Sequence, residues 1–203
     1  MRLSILITAL AAALFCAPAR AHDHEHMQQM NMETAQPLTG ASIYNLGSHW
    51  TDQDGGTVAL ESLRGRPVVA AMAYTSCKNI CPLIVANMIA IEKAAREKGD
   101  ASLRFVFFSL DQGDTPAQLK AYAEERGLDP AGWMLLRGDE KAVRDLAAAL
   151  GVRYRPDGQG GFDHSIVISL LNEQGEIVFQ KTDSAPDSGE FIVKIEALTG
   201  AKK

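Results

Sequence analysis

Basic residues are in deficit: 20 lysines and arginines stand against 25 aspartates and glutamates. The resulting formal charge of −5 leaves no cationic surplus for nucleic acid or an anionic lipid surface. Cysteine is scarce, with only Cys16, Cys77 and Cys81 in the whole chain. The apolar run over residues 3–15 is shorter than the roughly 20 residues that span a bilayer. Internal repeats and a second linker are both missing. What remains is an ordinary soluble composition, 46% hydrophobic and 22% charged, in 203 residues: enough for one domain with a real core and short for two.

The N-terminus has the pattern of a secretory signal peptide. Arg2 precedes the apolar run, and Ala19-Arg20-Ala21 puts small residues at the −3 and −1 positions of a cleavage site. Residues 1–21 are expected to be removed, leaving a periplasmic protein that begins at His22 and has no stable membrane span. A lipoprotein would acylate Cys16, but Phe15 is bulky for the position before such a cysteine. An uncleaved anchor would need a longer apolar run. Loss of Arg2 and Arg20, with no acid in residues 1–21, takes the charge from −5 to −7. Cys16 leaves with the leader, so the mature protein keeps one cysteine pair.

Residues 22–39 read as a flexible tail and residues 40–203 as the folded domain. The tail is polar and without apolar periodicity. A free α-amine at His22 with His24 in third place offers Cu(II) a square plane of nitrogens, the tetragonal geometry it prefers. His26 adds an imidazole, and Met27, Met30 and Met32 add thioethers that suit Cu(I). A histidine-rich leader without function is the plainer alternative.

From residue 41 strands and helices alternate. Residues 42–45, 48–51 and 57–59 read as short strands, with Asp54-Gly55-Gly56 as a turn. Residues 67–74 form a continuous small-apolar run, as a strand buried on both faces requires. A helix over 82–98 follows, with Pro82 at its first position, Ile84, Met88, Ile91 and Ala95 on one face, and Gly99 at its end. Then come a Phe-rich strand (103–110), a helix opened by Asp114-Thr115-Pro116 and closed by Gly127, and a short strand (133–136). Asp139 caps a helix that stops at Gly151. Strands 166–171 and 176–181 make a hairpin, and a last helix is capped by Asp187 or Ser188. This order predicts an α/β thioredoxin-like fold: a central mixed sheet flanked by helices, with an N-terminal β-hairpin extension.

Cys77 and Cys81 then lie at the carboxyl end of a central strand, where open α/β sheets place their chemistry. A disulfide across so short a loop removes little chain entropy, which favours a chemical role over a structural one. Thiolates at i and i+4 on a loop entering a helix can converge, and soft sulfur favours Cu(I). Two sulfurs alone hold metal weakly, so a third ligand is expected. The folded part has two histidines, His49 and His164. His49 in Gly-Ser-His-Trp reads as a surface residue. His164 follows Gly160-Gly161-Phe162-Asp163, beside the expected position of the cysteine loop, with Asp163 as a candidate acceptor behind its ring. A surface histidine bonded to its own loop is the alternative.

The run Cys77-x-x-x-Cys81-Pro82, with Asp163-His164-Ser165 far downstream, resembles the Sco/SenC proteins. The similarity covers roughly residues 43–198. It implies a thioredoxin-like fold, copper held by Cys77, Cys81 and His164, and delivery to the binuclear copper centre of cytochrome c oxidase. The chain departs from the family pattern in three places. It has Lys78-Asn79-Ile80 where Asp-Pro is usual, and its Asp111-Gln112-Gly113-Asp114-Thr115-Pro116 is one residue shorter than the family's segment. It also carries a cleavable leader where many members have a membrane tether. These leave the metal residues intact and open the question of the client, whether a cytochrome c oxidase subunit, another copper enzyme or another periplasmic copper carrier.

Three other functions compete with a copper chaperone. In a thiol-disulfide oxidoreductase, Cys77 would attack and Cys81 would resolve. The three-residue spacing, and the lack of a proline before the strand at Ile166, count against an ordinary thioredoxin. A thiol peroxidase would want threonine and arginine around its cysteine; Thr75 is near, but the motif has no arginine. A passive copper buffer is the fourth. Met72, Met88 and Met134 lie on apolar runs and read as core.

Overall fold

The computed structural model describes residues 38–100, 102–185 and 188–200. The expected signal peptide and the tail ligands His22, His24, His26, Met27, Met30 and Met32 lie outside these residues. Leu38 packs against the core, and the Thr39 hydroxyl bonds the Glu176 carboxylate. No helix among the described residues is long and apolar enough to cross a membrane.

The chain enters the domain through a 3₁₀ turn, Ile43–Leu46, where residues 42–45 read as a strand. Ser42 decides the difference: its hydroxyl accepts from the Tyr44 amide at 3.1 Å and turns the backbone before a ladder can form. Strands β1 (His49–Asp52) and β2 (Thr57–Ala59) form the expected hairpin. It is no separate appendage, because β1 also pairs antiparallel with β5 (Trp133–Arg137). A second 3₁₀ turn, Leu60–Leu63, leads to β3 (Val68–Ala73), whose six residues are all buried, as the continuous apolar run requires.

Helix α1 (Cys81–Glu97) follows β3, and β4 (Arg104–Ser109) returns parallel to it, pairing Ala70 with Val106. Helix α2 (Pro116–Glu125) opens on a full capping box between Thr115 and Gln118. Helix α3 (Glu140–Leu150) is capped by the Asp139 carboxylate. Next come β6 (Tyr154–Pro156), β7 (Phe162–His164), β8 (Ile168–Leu171), β9 (Ile177–Lys181) and α4 (Gly189–Thr199). Ser188 stands at the N-cap of α4, but its side chain makes no capping bond, and Asp187 lies outside the described residues.

Among the described residues, the main sheet has seven strands in the order β2-β1-β5-β4-β3-β8-β9. Strands β3, β4 and β5 run parallel, and β8 joins β3 antiparallel. Alternate residues of β4 serve opposite layers. On one face Phe105 stacks on Trp133, whose indole N–H bonds Glu92 of α1, and Phe107 meets Tyr122 of α2. On the other face Phe108 packs edge-on against Trp50. This mixed sheet between helices is the thioredoxin-like fold.

Strands β6 and β7 were not among the expected elements. They form a two-stranded ribbon of their own, pairing Tyr154 with His164. The Asp157 carboxylate turns the ribbon by accepting from the Gln159 and Gly161 amides at 2.7 and 2.9 Å.

Candidate metal centre

The loop between β3 and α1 starts from a buried polar anchor. Asp114, only 1% exposed, lies beyond the end of β4. Its carboxylate accepts from the Thr75 amide (3.1 Å), the Thr75 hydroxyl (2.5 Å) and the Ser109 hydroxyl (2.5 Å). The strand ends β3 and β4 are thereby tied together where the cysteine loop leaves the sheet. The Thr75 hydroxyl donates its single proton to this anchor, so it has none to offer a peroxide at the cysteine.

Helix α1 has no side-chain cap of the usual kind, since Ile80 occupies its N-cap. The sulfur of Cys77 stands there instead, 3.5 Å from the Cys81 amide nitrogen. Burial pushes the Cys77 thiol up, but hydrogen bonds from the Cys81 side chain and from the amides of Cys81, Asn79 and Ile80 outweigh it. The Cys77 pKa therefore lies below its ordinary value. Cys81 moves the other way, raised first by burial and then by the neighbouring Cys77 sulfur. Exposure follows the same asymmetry, 8% for Cys77 and 0% for Cys81. Both cysteines are free thiols in this structure.

His164, at the end of β7, brings its Nε2 to 3.1 Å from Cys81 Sγ. Its Nδ1 faces the Ser165 carbonyl oxygen at 3.1 Å. With Nδ1–H donating there, Nε2 is the lone-pair nitrogen aimed at the sulfurs. The acceptor behind the ring is therefore the Ser165 carbonyl and not Asp163. Side chains alternate along β7, and the Asp163 carboxylate bonds Arg155 at 3.0 and 3.2 Å on the exposed side. The two sulfurs and the imidazole nitrogen all lie within 4.8 Å of one another. His49 is exposed at the start of β1.

Burial holds the His164 pKa below its ordinary 6.5, against weaker raising effects of the Ser165 carbonyl and the Asp163 charge. The neutral ring that a metal needs is thus the resting form at neutral pH. The unfolded chain takes up this proton near 6.5, whereas the folded chain does so only at lower pH. The corresponding stability is present above 6.5 and fades as pH falls through the folded value. Urea midpoints of the metal-free protein should fall between pH 7.5 and 5, less steeply in His164→Gln.

Two thiol sulfurs and one imidazole are a donor set for a soft or borderline ion such as Cu(I) or Zn(II). An open cleft of about 440 Å³, lined by Arg153, Tyr154, Arg155, Asp163, His164 and Ser165, reaches the site from the histidine side. Sequence reasoning missed Tyr74, whose hydroxyl bonds both backbone groups of Phe162, and the anchoring role of Asp114. The turn sequence Asp157-Gly158-Gln159-Gly160-Gly161 between Tyr154 and Phe162 was a signal for the ribbon.

A thioredoxin-like domain with a Cys-Cys-His cluster at the carboxyl end of its sheet is a class of metal-site protein. Residues 42–200 match the SCO1/SenC family model, and the chain belongs to that family. The SCO1 protein homolog of Bacillus subtilis is 30% identical over 134 residues, 63% of this chain and 67% of that protein. The structure of Bradyrhizobium japonicum ScoI with copper bound is 26% identical, with a TM-score of 0.62 over 74% of this chain and 96% of that one. The fold also matches BsSco, a member of the Sco family of cytochrome c oxidase assembly proteins in which a disulfide switch was identified. That match is 23% identical with a TM-score of 0.65, over 76% of this chain and 92% of that one.

Proposed function

We propose that this protein is a periplasmic copper carrier that takes one copper ion on Cys77, Cys81 and His164 and passes it to a copper enzyme. The observation that carries this reading is the convergence of Cys77 Sγ, Cys81 Sγ and His164 Nε2 within 4.8 Å. The copper-bound relative and the family's link to cytochrome c oxidase assembly support both the cargo and the client, a cytochrome c oxidase subunit.

The chain's own groups divide the work. Cys77, held toward thiolate by the helix amides, is the entry ligand. Cys81 must give up its proton to join, so capture releases a proton and weakens as pH falls. His164 supplies the outermost ligand beside the open cleft. Handover then runs from the histidine side, with incoming ligands of the client replacing His164 first and the buried sulfurs last. The His/Met tail, exposed by cleavage after Ala21, would be a separate capture segment with sites for either copper oxidation state.

A disulfide-reductase reading has its own support in the cysteine asymmetry. Cys77 thiolate would attack a client disulfide and expel one client thiolate. Cys81 would then attack Cys77 Sγ, releasing the second client thiol and leaving a Cys77–Cys81 disulfide. The same dithiol could carry copper when reduced and exchange disulfides when metal-free.

The test is copper loading of the reduced mature protein, followed by stoichiometry and visible and EPR spectra. Wild type and a variant lacking residues 22–36 should both show a thiolate-to-Cu(II) charge-transfer band, which His164→Ala should lose. If the tail deletion abolished copper binding altogether, the core reading would fall and the reductase reading would replace it.

A further inference from the structure

His164 reaches the cysteines on a ribbon that does not belong to the main sheet. Strands β6 and β7 pair, among the described residues, only with each other. Among the described residues, two side chains of the rest of the domain hydrogen-bond residues 154–164. One is Cys81, through its 3.1 Å contact with His164. The other is Tyr74. Its hydroxyl donates to the Phe162 carbonyl at 3.2 Å and accepts from the Phe162 amide at 3.1 Å.

This is a two-point grip on one residue of β7. Phe162 and His164 are two apart on a strand and so share a face. Both rings meet the Tyr74 ring edge-on, with centroids 5.5 and 5.9 Å away. Tyr74 itself directly follows β3 and sits just ahead of Thr75 and its Asp114 anchor. One side chain therefore couples the fixed base of the cysteine loop to the histidine strand. Gly161 leaves it room: a Cβ there would lie 2.9 Å from the Tyr74 hydroxyl oxygen and 2.8 Å from Asp157 Oδ2.

We propose that Tyr74 is a positioning residue of the metal site, clamping β7 so that His164 Nε2 stays over the two sulfurs and thereby setting how long a captured ion is retained. The inference rests on the copper-carrier reading above. A ligand held in place before binding loses less freedom when it coordinates, whereas a ligand on a loose ribbon dissociates more often. The carrier's release step begins at His164, so the clamp governs that step.

The test uses Tyr74→Phe, which keeps the ring and deletes the hydroxyl, and Gly161→Ala, which crowds the hydroxyl from the other side. Tyr44→Phe is the control, since the Tyr44 hydroxyl bonds no described group and its ring packs at Gly175, outside the cleft that reaches the site. In the metal-free protein, amide hydrogen exchange at Phe162 should speed about tenfold in both variants, while β3 and β4 amides keep wild-type rates. In the copper-loaded protein, transfer to bicinchoninate should be about tenfold faster, and the Cu(II) EPR spectrum should shift toward that of His164→Ala.

Faster exchange with unchanged transfer rate and spectrum would overturn the proposal and leave Tyr74 a purely structural contact. Unchanged exchange at Phe162 would also overturn it. A wild type whose cysteines took up no copper would sink the carrier reading and this inference together. That failure is distinguishable because it appears in the wild type itself.

Discussion

Asp114→Ala should destabilise the metal-free domain by about 3 kcal/mol, the largest effect expected of any single change near the site that leaves Cys77, Cys81 and His164 in place. The carboxylate is 1% exposed and accepts three hydrogen bonds, from the Thr75 amide, the Thr75 hydroxyl and the Ser109 hydroxyl. Alanine would strand these donors in a dry site, and a bond to a charged acceptor is worth about 1.5–3 kcal/mol. The sum is less than three such bonds, because the Ser109 hydroxyl can still donate to the Asp111 carbonyl at 3.1 Å. For a domain of this size the melting temperature should drop by about 10 °C. Asp114→Asn keeps one acceptor oxygen and should lose about half as much. Thr75 begins the cysteine loop, so Asp114→Ala should also speed exchange of the loop amides. A melting temperature within 2 °C of wild type would refute the anchor (a threshold of about 0.5–1 kcal/mol).

Asp114 also illustrates what could and could not be read in advance. The helix-opening signal Asp114-Thr115-Pro116 was legible, and Thr115 does cap α2 with Pro116 behind it. Nothing local announces that the preceding aspartate points inward to a strand end and a loop distant in sequence. The same limit applies to Asp163. Its neighbour His164 is readable as the better of two candidate partners for the cysteines, since the folded part has only two histidines. Which carboxylate or carbonyl backs the ring depends on strand alternation, and β7 was not anticipated as a strand. The apolar run of β3 and the Asn172–Gly175 turn, by contrast, carry their structure in local chemistry. Asn172 Oδ1 accepts from the Gln174 and Glu176 amides at 3.0 and 2.9 Å. Gly175 supplies a φ of +80° and leaves the space that the Tyr44 ring fills, 2.6 Å from where a Cβ would stand. Residues 42–45 failed for the opposite reason, because a serine-driven turn overrode an apolar pattern too short to decide between strand and 3₁₀ turn.

Cys81→Ala should do the reverse of Asp114→Ala, leaving the fold nearly intact and removing the proposed copper site. The side chain is fully buried, so its loss leaves a small cavity and should cost the metal-free protein about 1 kcal/mol. Copper affinity at the core site should fall more than a hundredfold, since even residues that only support a ligand are worth about 10–100-fold. Two further readouts separate ligand loss from damage. Cys81 holds its proton tightly, raised by burial and by the Cys77 sulfur, so Cu(I) capture by the wild type must expel it. The pH dependence of affinity should therefore flatten in the variant. Removing the Cys81 side chain also takes away the hydrogen bond that helps hold Cys77 toward thiolate, so the remaining thiol should alkylate more slowly at neutral pH. Isothermal titration of the tail-deleted protein with Cu(I), at two pH values and beside a melting curve, measures the first two effects directly. Wild-type affinity in Cys81→Ala would mean that the convergence of Cys77, Cys81 and His164 is not where this protein holds copper.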